Sequence, residues 1–359
     1  KLGRFSGSRA VFFRPDGKVL EEGDRLAQPN LAGTLERVAK EGPKGFYEGY
    51  VAKRIAEEMD RLGGLVTEED LRAYRVVERA PVEGRYRGRR IVSFPPPSSG
   101  GVHVLQILRM LEGFDLAATG PESVRATHLL AEAMRRAFAD RAKFLGDPDF
   151  VKVPAAGLLA DPYLRARAAS ILLESASASK DVGPGAPEGA PPESDHTTHL
   201  SVVDASGAAV AMTLTINGPF GSCLVAADTG VLLNNQMDDF SAQPGAPNLY
   251  GLVGGEANAV APRKTPLSSM SPTLVFSKDG KLELVVGSPG GPRIISTVAQ
   301  AILNVLDHGL PLDEALAAPR AHHQWLPDKL LLEGKFPKET AEKLRALGHS
   351  VGRGGAWSR

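Results

Sequence analysis

The sequence predicts a mixed α+β fold, because two different patterns of apolar residues divide it. Helix-like periodicity dominates the first half, over 31–42, 45–64 and about 121–145. Alternation of apolar and polar residues dominates the second half, where "HLSVVDASGAAVAMTLTIN" predicts a β-hairpin around the turn "DASG". A chain of 359 residues is long enough for one large domain or two ordinary ones.

Charge and cysteine content argue against several classes of function. Lys+Arg and Asp+Glu both number 42, so the formal net charge is zero, and no dense basic run indicates a nucleic-acid surface. No apolar stretch reaches the ~18–20 residues that a membrane helix needs. The single cysteine, Cys223, excludes an internal disulfide and a cysteine-based metal cluster. We therefore expect no nucleic-acid partner and no membrane span. We also expect no metal and no cofactor.

Local signals place several elements of the N-terminal half. Thr67 followed by Asp70 predicts a capping box at the start of a helix. The stretch 81–94 predicts two strands around a glycine turn, and "PPPSSGG" (95–101) predicts a rigid loop that leads into a helix. The segment 176–194 has no period and is rich in Pro, Gly and Ala, so we expect a linker or an exposed tail.

Three groups of polar residues in the second half are ambiguous by themselves. The glycine turn 287–291 could bind an oxyanion through backbone N–H groups, but an ordinary helix-entry turn is favoured in isolation. On a strand predicted over 230–240, Asp238 and Asp239 would point to opposite faces, so at most one could reach a site. The pairs "HTTH" and "HH" lack the Glu or Cys of a zinc motif, which favours surface or core histidines.

Thr197 and Thr198 lie where the loose segment meets the hairpin. With the turn at 205–206, Thr197 is expected opposite residue 214, with Thr215 as its near neighbour. A threonine hydroxyl becomes a nucleophile when the residue is N-terminal, because its own α-amine, with a pKa of about 7.7–8.0, takes the proton. Cutting the chain before Thr197 would create such a group. On this stretch alone, threonines that begin a strand because of their β propensity are the favoured interpretation.

The surrounding motifs resemble the γ-glutamyltransferase (γ-glutamyl transpeptidase) family. "TTHLSVVD", "GVLLNNQMDDFS", "PLSSMSPT" and "GSPGGPRII" occur in the order and approximate spacing of that family, and "PPPSSGG" and "GDPDFVKVP" agree in the first half. The resemblance covers essentially the whole chain and is closest to the bacterial members. It implies the α-β-β-α sandwich of N-terminal-nucleophile hydrolases, of which this chain would hold part.

The resemblance also implies a precursor that cuts itself between His196 and Thr197. Residues 1–196 would be the C-terminal part of the large subunit, ending in a flexible tail over about 176–196. Residues 197–359 would be the small subunit, and together the two would form one intertwined domain. The family's N-terminal segment, with the arginine that binds the substrate α-carboxylate, and its last C-terminal strands have no match here. We therefore expect a fragment with little γ-glutamyl transfer activity of its own.

Roles for individual residues follow from the resemblance. Thr197 would be the nucleophile, and Thr215 would bond its hydroxyl. Gly290 and Gly291 would form the oxyanion hole. The groups that would hold the donor are Asn217, Gln236 and Asp239 at the α-amino group and Ser268 and Ser269 at the α-carboxylate. Tyr250 would close a lid loop over the site.

The implied reaction transfers a γ-glutamyl group from an amide such as glutathione, through a γ-glutamyl-threonine intermediate, to water, an amino acid or a peptide. A periplasmic or secreted location is implied as well. Two alternatives stay open: a related acylase (cephalosporin acylase or γ-polyglutamate-processing) and a non-catalytic binding homologue. Asp239 and Gln236 favour a donor that bears an α-amino group. The presence of Thr197 and of the glycine pair favours an enzyme.

Overall fold

The structure is a computed structural model that describes residues 1–187, 198–243, 246, 248 and 251–355. It divides into two compact units. The first holds Lys1–Arg79 and Ile216–Gln236, and the second holds Ala80–Thr215 and Met237–Arg359. Each unit therefore contains residues from both sides of the bond between 196 and 197.

The first unit is helical. Its helices are α1 (Ser6–Phe12), α2 (Pro29–Glu41), α3 (Lys44–Tyr47), α4 (Gly49–Arg61) and α5 (Glu68–Ala73). The single helix expected over 45–64 is wrong, because Glu48 is extended and Gly49 has a φ of +65°, a conformation that glycine adopts at little cost. The capping box is confirmed: the Thr67 hydroxyl accepts the Asp70 N–H at 3.2 Å, and the Asp70 carboxylate accepts the Thr67 N–H at 2.8 Å.

The second unit combines helices with three sheets. Its helices are α6 (Gly100–Leu111), α7 (Val124–Phe144), α8 (Ala155–Leu158), α9 (Asp161–Ala169), α10 (Arg293–Leu306), α11 (Leu312–Ala317) and α12 (Lys338–Ala346). Its strands are β1 (Val82–Tyr86), β2 (Arg89–Ser93), β3 (Thr198–Val203), β4 (Ala209–Leu214), β5 (Thr273–Phe276), β6 (Leu282–Val286), β7 (Ala321–His322), β8 (Leu330–Leu332) and β9 (Val351–Arg353). An antiparallel sheet has the order β1-β2-β5-β6, the hairpin β3-β4 forms a second sheet, and β7-β8-β9 form a third.

The core of the second unit lies between the four-stranded sheet and its helices. Helix α6 contacts β1 and β2 as well as α7 and α10. Its sequence is apolar on most faces, as suits a helix that is buried on nearly every side. Leu105 of α6, Phe138 of α7, Val275 of β5 and Val298 of α10 all belong to this core and are at most 1% exposed.

The segment 176–187 is bonded to the second unit. The Ser177 N–H and hydroxyl donate to the Glu132 carboxylate at 3.1 and 2.5 Å, and the Gly185 N–H donates to Asp140 at 2.9 Å. Both carboxylates project from α7 and are fully buried. The expectation of an exposed tail is therefore wrong over 176–187, and the residues that follow, up to 197, lie outside the described part of the chain.

Two general features concern the described residues only. None of their helices is long and apolar enough to cross a membrane. The same residues contain no group of three or more His, Cys, Asp or Glu side chains placed to hold a metal ion.

Candidate active site

The hairpin β3-β4 brings the chain up to the expected nucleophile. Val203 pairs with Ala209 and Thr198 pairs with Leu214, so the expected register, with 197 opposite 214, is wrong by one residue. The Asp204 N–H donates to the Ala208 carbonyl at 2.9 Å, which leaves a turn of three residues, 205–207, in which Gly207 has a φ of +86°. The Asp204 carboxylate stabilises it by accepting the N–H groups of residues 206 and 208 at 2.8 and 3.0 Å. Residues 196 and 197 lie outside the described chain, as does residue 250 of the expected lid.

The glycine turn between β6 and α10 presents backbone N–H groups at a helix N-terminus. Gly290 and Gly291 have φ values of +121° and +65°, which residues with a Cβ rarely adopt. Their carbonyls accept the N–H groups of Arg293 and Ile294 at 3.3 and 2.9 Å as α10 begins. Within the described residues, the N–H groups of the two glycines donate no hydrogen bond. The turn therefore suits an oxyanion, which the positive end of the helix would also favour.

Asp239 is buried and is linked by hydrogen bonds of Asn258 to the loop that holds Ser268 and Ser269, here called the serine loop. The strand expected over 230–240 is wrong, since residues Gln236–Asp239 form a 3₁₀ helix. Asp239 is 1% exposed, whereas its neighbour Asp238 is exposed. Asn258, which is fully buried, donates from Nδ2 to the Asp239 carbonyl at 2.8 Å and accepts the Leu267 N–H at 3.2 Å. One amide therefore fixes the distance between Asp239 and the residue before Ser268.

Ser268 and Ser269 lie in a buried loop beside the start of α6. The Ser268 carbonyl accepts the Ser99 N–H at 2.7 Å, and the Ser268 hydroxyl accepts the Met270 N–H at 3.0 Å. The Ser269 hydroxyl accepts Arg141 Nη2 at 3.0 Å, and Arg141 Nε donates to the Ser99 hydroxyl at 2.8 Å. Arg141 is fully buried. The serine pair thus has a cation directly behind it.

Asn217 and Gln236 belong to the first unit, where Asn235 brings them together. Asn217 Nδ2 donates to the Asn235 carbonyl at 3.0 Å, next to Gln236 in the chain. The Gly218 N–H donates to Asn235 Oδ1 at 2.8 Å. Asn217 has a φ of +69°, a conformation that asparagine tolerates better than most residues with a side chain.

The other expected site residues that the structure describes lie in the second unit. These are Thr215, Asp239, Ser268, Ser269, Gly290 and Gly291. Sequence reasoning missed Arg141 and Asn258. The only signal for Arg141 is an arginine in the long, largely buried helix α7, and nothing local to Asn258 indicates partners 19 and 9 residues away.

The chain is similar in sequence to known proteins over nearly its whole length. The family model described as Gamma-glutamyltranspeptidase matches residues 1–358. The Glutathione hydrolase proenzyme of Escherichia coli (strain K12) is 53% identical over 350 residues, which make up 98% of this chain and 60% of that protein. The Glutathione hydrolase proenzyme of Pseudomonas sp. (strain A14) is 47% identical over 328 residues, 91% of this chain and 56% of that protein. The chain thus spans 56–60% of the length of these relatives.

A solved structure extends the comparison to the fold. The crystal structure of cephalosporin acylase from Bacillus halodurans is similar, with a TM-score of 0.82 and 27% identity over 96% of this chain and 59% of that chain. The expected α+β fold of an N-terminal-nucleophile hydrolase is confirmed by this likeness. The resemblance inferred from the motifs is confirmed by the family match over nearly all residues, whereas the roles of individual side chains stay predictions. The chain belongs to the γ-glutamyltranspeptidase family.

Proposed function

We propose that this protein is a self-processing γ-glutamyltransferase that cleaves γ-glutamyl amides such as glutathione. The observation that carries the proposal is 53% identity to a glutathione hydrolase proenzyme, together with the family match over residues 1–358. The buried Asp239, tied through Asn258 to the serine loop, supports it with a fixed anionic group of the kind an ammonium substrate needs.

Maturation begins with the Thr197 hydroxyl. Its oxygen attacks the carbonyl carbon of His196, the C–N bond between the two residues breaks, and an ester forms as the nitrogen takes the proton. Water hydrolyses the ester, which leaves a carboxylate on His196 and a free α-amine on Thr197. The described hairpin supports this proposal because Thr198, the residue directly after the proposed nucleophile, lies in β3 and pairs with Leu214 of β4. The large and small subunits would then come from one precursor.

Turnover uses the same hydroxyl, with the new α-amine as its base. The oxygen attacks the γ-carbonyl of the donor, and Gly290 and Gly291 donate their N–H groups to the oxyanion of the tetrahedral intermediate. Collapse expels the amine, which takes the proton from the α-ammonium group. Water, an amino acid or a peptide then attacks the γ-glutamyl ester and releases Thr197. Thr215, one residue beyond β4, would hold the nucleophile's hydroxyl.

The γ-glutamyl donor carries two charged groups on its α-carbon, an ammonium and a carboxylate, and different residues would bind each. Asp239, with Asn217 and Gln236, would bind the ammonium. Ser268 and Ser269 would bind the carboxylate. The Ser269 hydroxyl oxygen already accepts an N–H of Arg141, so this hydroxyl could donate its own proton to the substrate carboxylate.

Two donors that differ only in the α-amino group separate this function from that of an acylase. We expect the full-length protein to turn over a γ-glutamyl anilide and to prefer it over the glutaryl anilide, which lacks the ammonium. Asp239→Asn should lower kcat/KM for the γ-glutamyl donor roughly 10²–10⁴-fold, since loss of one partner of a desolvated ion pair costs ~3–5 kcal/mol. The glutaryl donor should lose little, and self-cleavage should be retained.

Asp238→Asn is the matched control, because it changes an exposed carboxylate next to Asp239. A wild-type preference for the glutaryl anilide would instead indicate an acylase, the activity named for the similar Bacillus halodurans structure. No turnover of either donor by a cleaved protein would indicate a binding homologue. A periplasmic or secreted location is proposed from the family alone.

A further inference from the structure

The hairpin β3-β4 forms a sheet of its own. In the described part of the chain, no ladder of backbone hydrogen bonds joins it to the sheet β1-β2-β5-β6. Strand β6 nevertheless leads directly into the glycine turn, and β3 leads directly away from the proposed nucleophile. Side-chain contacts between β3 and the end of β6, such as that of Ser201 with Val285, therefore bear on the distance between the proposed nucleophile and the proposed oxyanion site.

His199 packs directly against Gly287, which follows β6. A Cβ at position 287 would lie 2.2 Å from ring atoms Cε1 and Nδ1 of His199 and 2.5 Å from its Cγ. The imidazole thus occupies the space beside Gly287 that a side chain there would need. Gly287 has no positive φ, so its backbone conformation does not demand glycine. The lack of space for a Cβ beside the His199 ring does.

The ring is held on both sides. Nδ1 lies 3.0 Å from the Thr213 hydroxyl on β4, and Nε2 lies 3.0 Å from the Ser201 hydroxyl on β3. The Ser201 hydroxyl also approaches the Val285 carbonyl of β6 at 3.4 Å. Burial lowers the pKa of His199, so the ring is neutral at pH 7, and each hydroxyl can act as donor or acceptor to it.

We propose that His199 is a positioning residue that sets the spacing between β3 and the turn 287–291. It acts through Gly287 and does not touch the substrate. The proposal rests on the proposed function, because it takes Thr197 as the nucleophile and Gly290 and Gly291 as the oxyanion donors. A fixed ring between two sheets that share no backbone ladder in the described residues keeps these groups at one distance, and catalysis is sensitive to that distance.

A double-mutant cycle in the full-length protein tests the proposal. Gly287→Ala brings a methyl group to 2.2 Å from a ring that is held on both sides, whereas ordinary contact begins at 3.4 Å, so one of the two must move by more than 1 Å. Because a misplacement of ~1 Å can cost ~10²-fold in rate, we expect kcat for a γ-glutamyl anilide to fall roughly 30- to 100-fold. KM should change less than about threefold, since the donor-binding side chains are not altered.

The second arm removes the ring. His199→Ala alone should lower kcat roughly 5- to 20-fold, because the spacing is no longer fixed. Once the ring is absent, the added methyl group meets no clash, so the kcat of the double variant should equal that of His199→Ala and exceed that of Gly287→Ala. Gly334→Ala is the matched control, because Gly334 lines a cavity of about 1000 Å³ that His199 and Gly287 also line. Gly334 has no positive φ and no atom within 4 Å of its Cβ position, so the kcat of this variant should equal that of wild type.

Three results would overturn the proposal. One is a Gly287→Ala kcat equal to that of the Gly334 control. Another is a double variant whose loss is the product of the two single losses, which would show that the two positions act independently. The third is absence of γ-glutamyl turnover in the wild-type protein. That third result would remove the proposed function first and this proposal with it, whereas the first two leave the proposed function standing.

Discussion

Replacing Asn258 by Ala should loosen Asp239 from the serine loop. The side chain makes two hydrogen bonds: Nδ2 donates to the Asp239 carbonyl at 2.8 Å, and Oδ1 accepts the Leu267 N–H at 3.2 Å. Asn258 and Leu267 are fully buried and Asp239 is 1% exposed, so water has little access to the groups left behind.

The magnitude follows from the two orphaned backbone groups. A buried donor or acceptor that loses its partner costs ~1–3 kcal/mol, so the two groups left by Asn258→Ala should lower the free energy of unfolding by about 2–6 kcal/mol. Asp239 would also lose the bond that fixes its distance from Ser268. We therefore expect KM for a γ-glutamyl anilide to rise roughly tenfold, because the ammonium and carboxylate subsites are no longer held in register.

Urea unfolding and steady-state kinetics of the full-length protein measure the two effects. Asn304→Ala is the control, since Nδ2 of that buried asparagine donates to the Ala315 carbonyl at 3.1 Å and contacts no proposed site residue. The control should lose ~1–3 kcal/mol of stability with an unchanged KM. An Asn258→Ala variant with the predicted loss of stability but the KM of wild type would refute the positioning of Asp239 by this amide.

Two further predictions concern stability and the segment before the proposed cleavage site. Burial lowers the pKa of three histidines to about 3: His103, His322 and His349. Because the unfolded chain binds these protons near pH 6.5, the free energy of unfolding should fall as the pH drops from about 6.5 toward 3, by up to ~1.4 kcal/mol per pH unit for each histidine. Urea unfolding at several pH values should show that the free energy of unfolding of His349→Gln depends less steeply on pH than that of wild type, and an equal pH dependence would contradict this. Glu132→Gln should speed limited proteolysis within 176–187, because the carboxylate that accepts the Ser177 N–H and hydroxyl is lost. Glu339→Gln, at an exposed carboxylate, is the control and should not change the rate. Equal digestion of the two variants would show that Glu132 does not hold the segment.

Local signals account for the elements that the sequence predicted correctly. The capping box at Thr67 and the helices close to 31–42 and 121–145 depend on residues within one or two turns of each other. Where a single backbone angle decides the outcome, prediction failed. Gly49 breaks the expected helix at φ +65°, and Gly207 at φ +86° lengthens the hairpin turn and shifts its register.

Contacts between distant residues explain the remaining differences. The composition of 176–187 indicates a tail, but carboxylates from α7, including Asp140, bind its backbone. The serines at 268 and 269 were found through the family motif, whereas Arg141 behind them comes from a helix 128 residues away from Ser269. Such partners leave no periodic or spacing signal in a single sequence.

The central claim is that Thr197 is both the cleavage point and the nucleophile, and intact-mass analysis of the full-length protein tests it most directly. We expect two polypeptides divided between His196 and Thr197 for the wild type and for the control Thr198→Ala, and one uncut polypeptide for Thr197→Ala. Two pieces divided at this bond in Thr197→Ala, or one uncut wild-type chain that turns over a γ-glutamyl anilide, would contradict the claim.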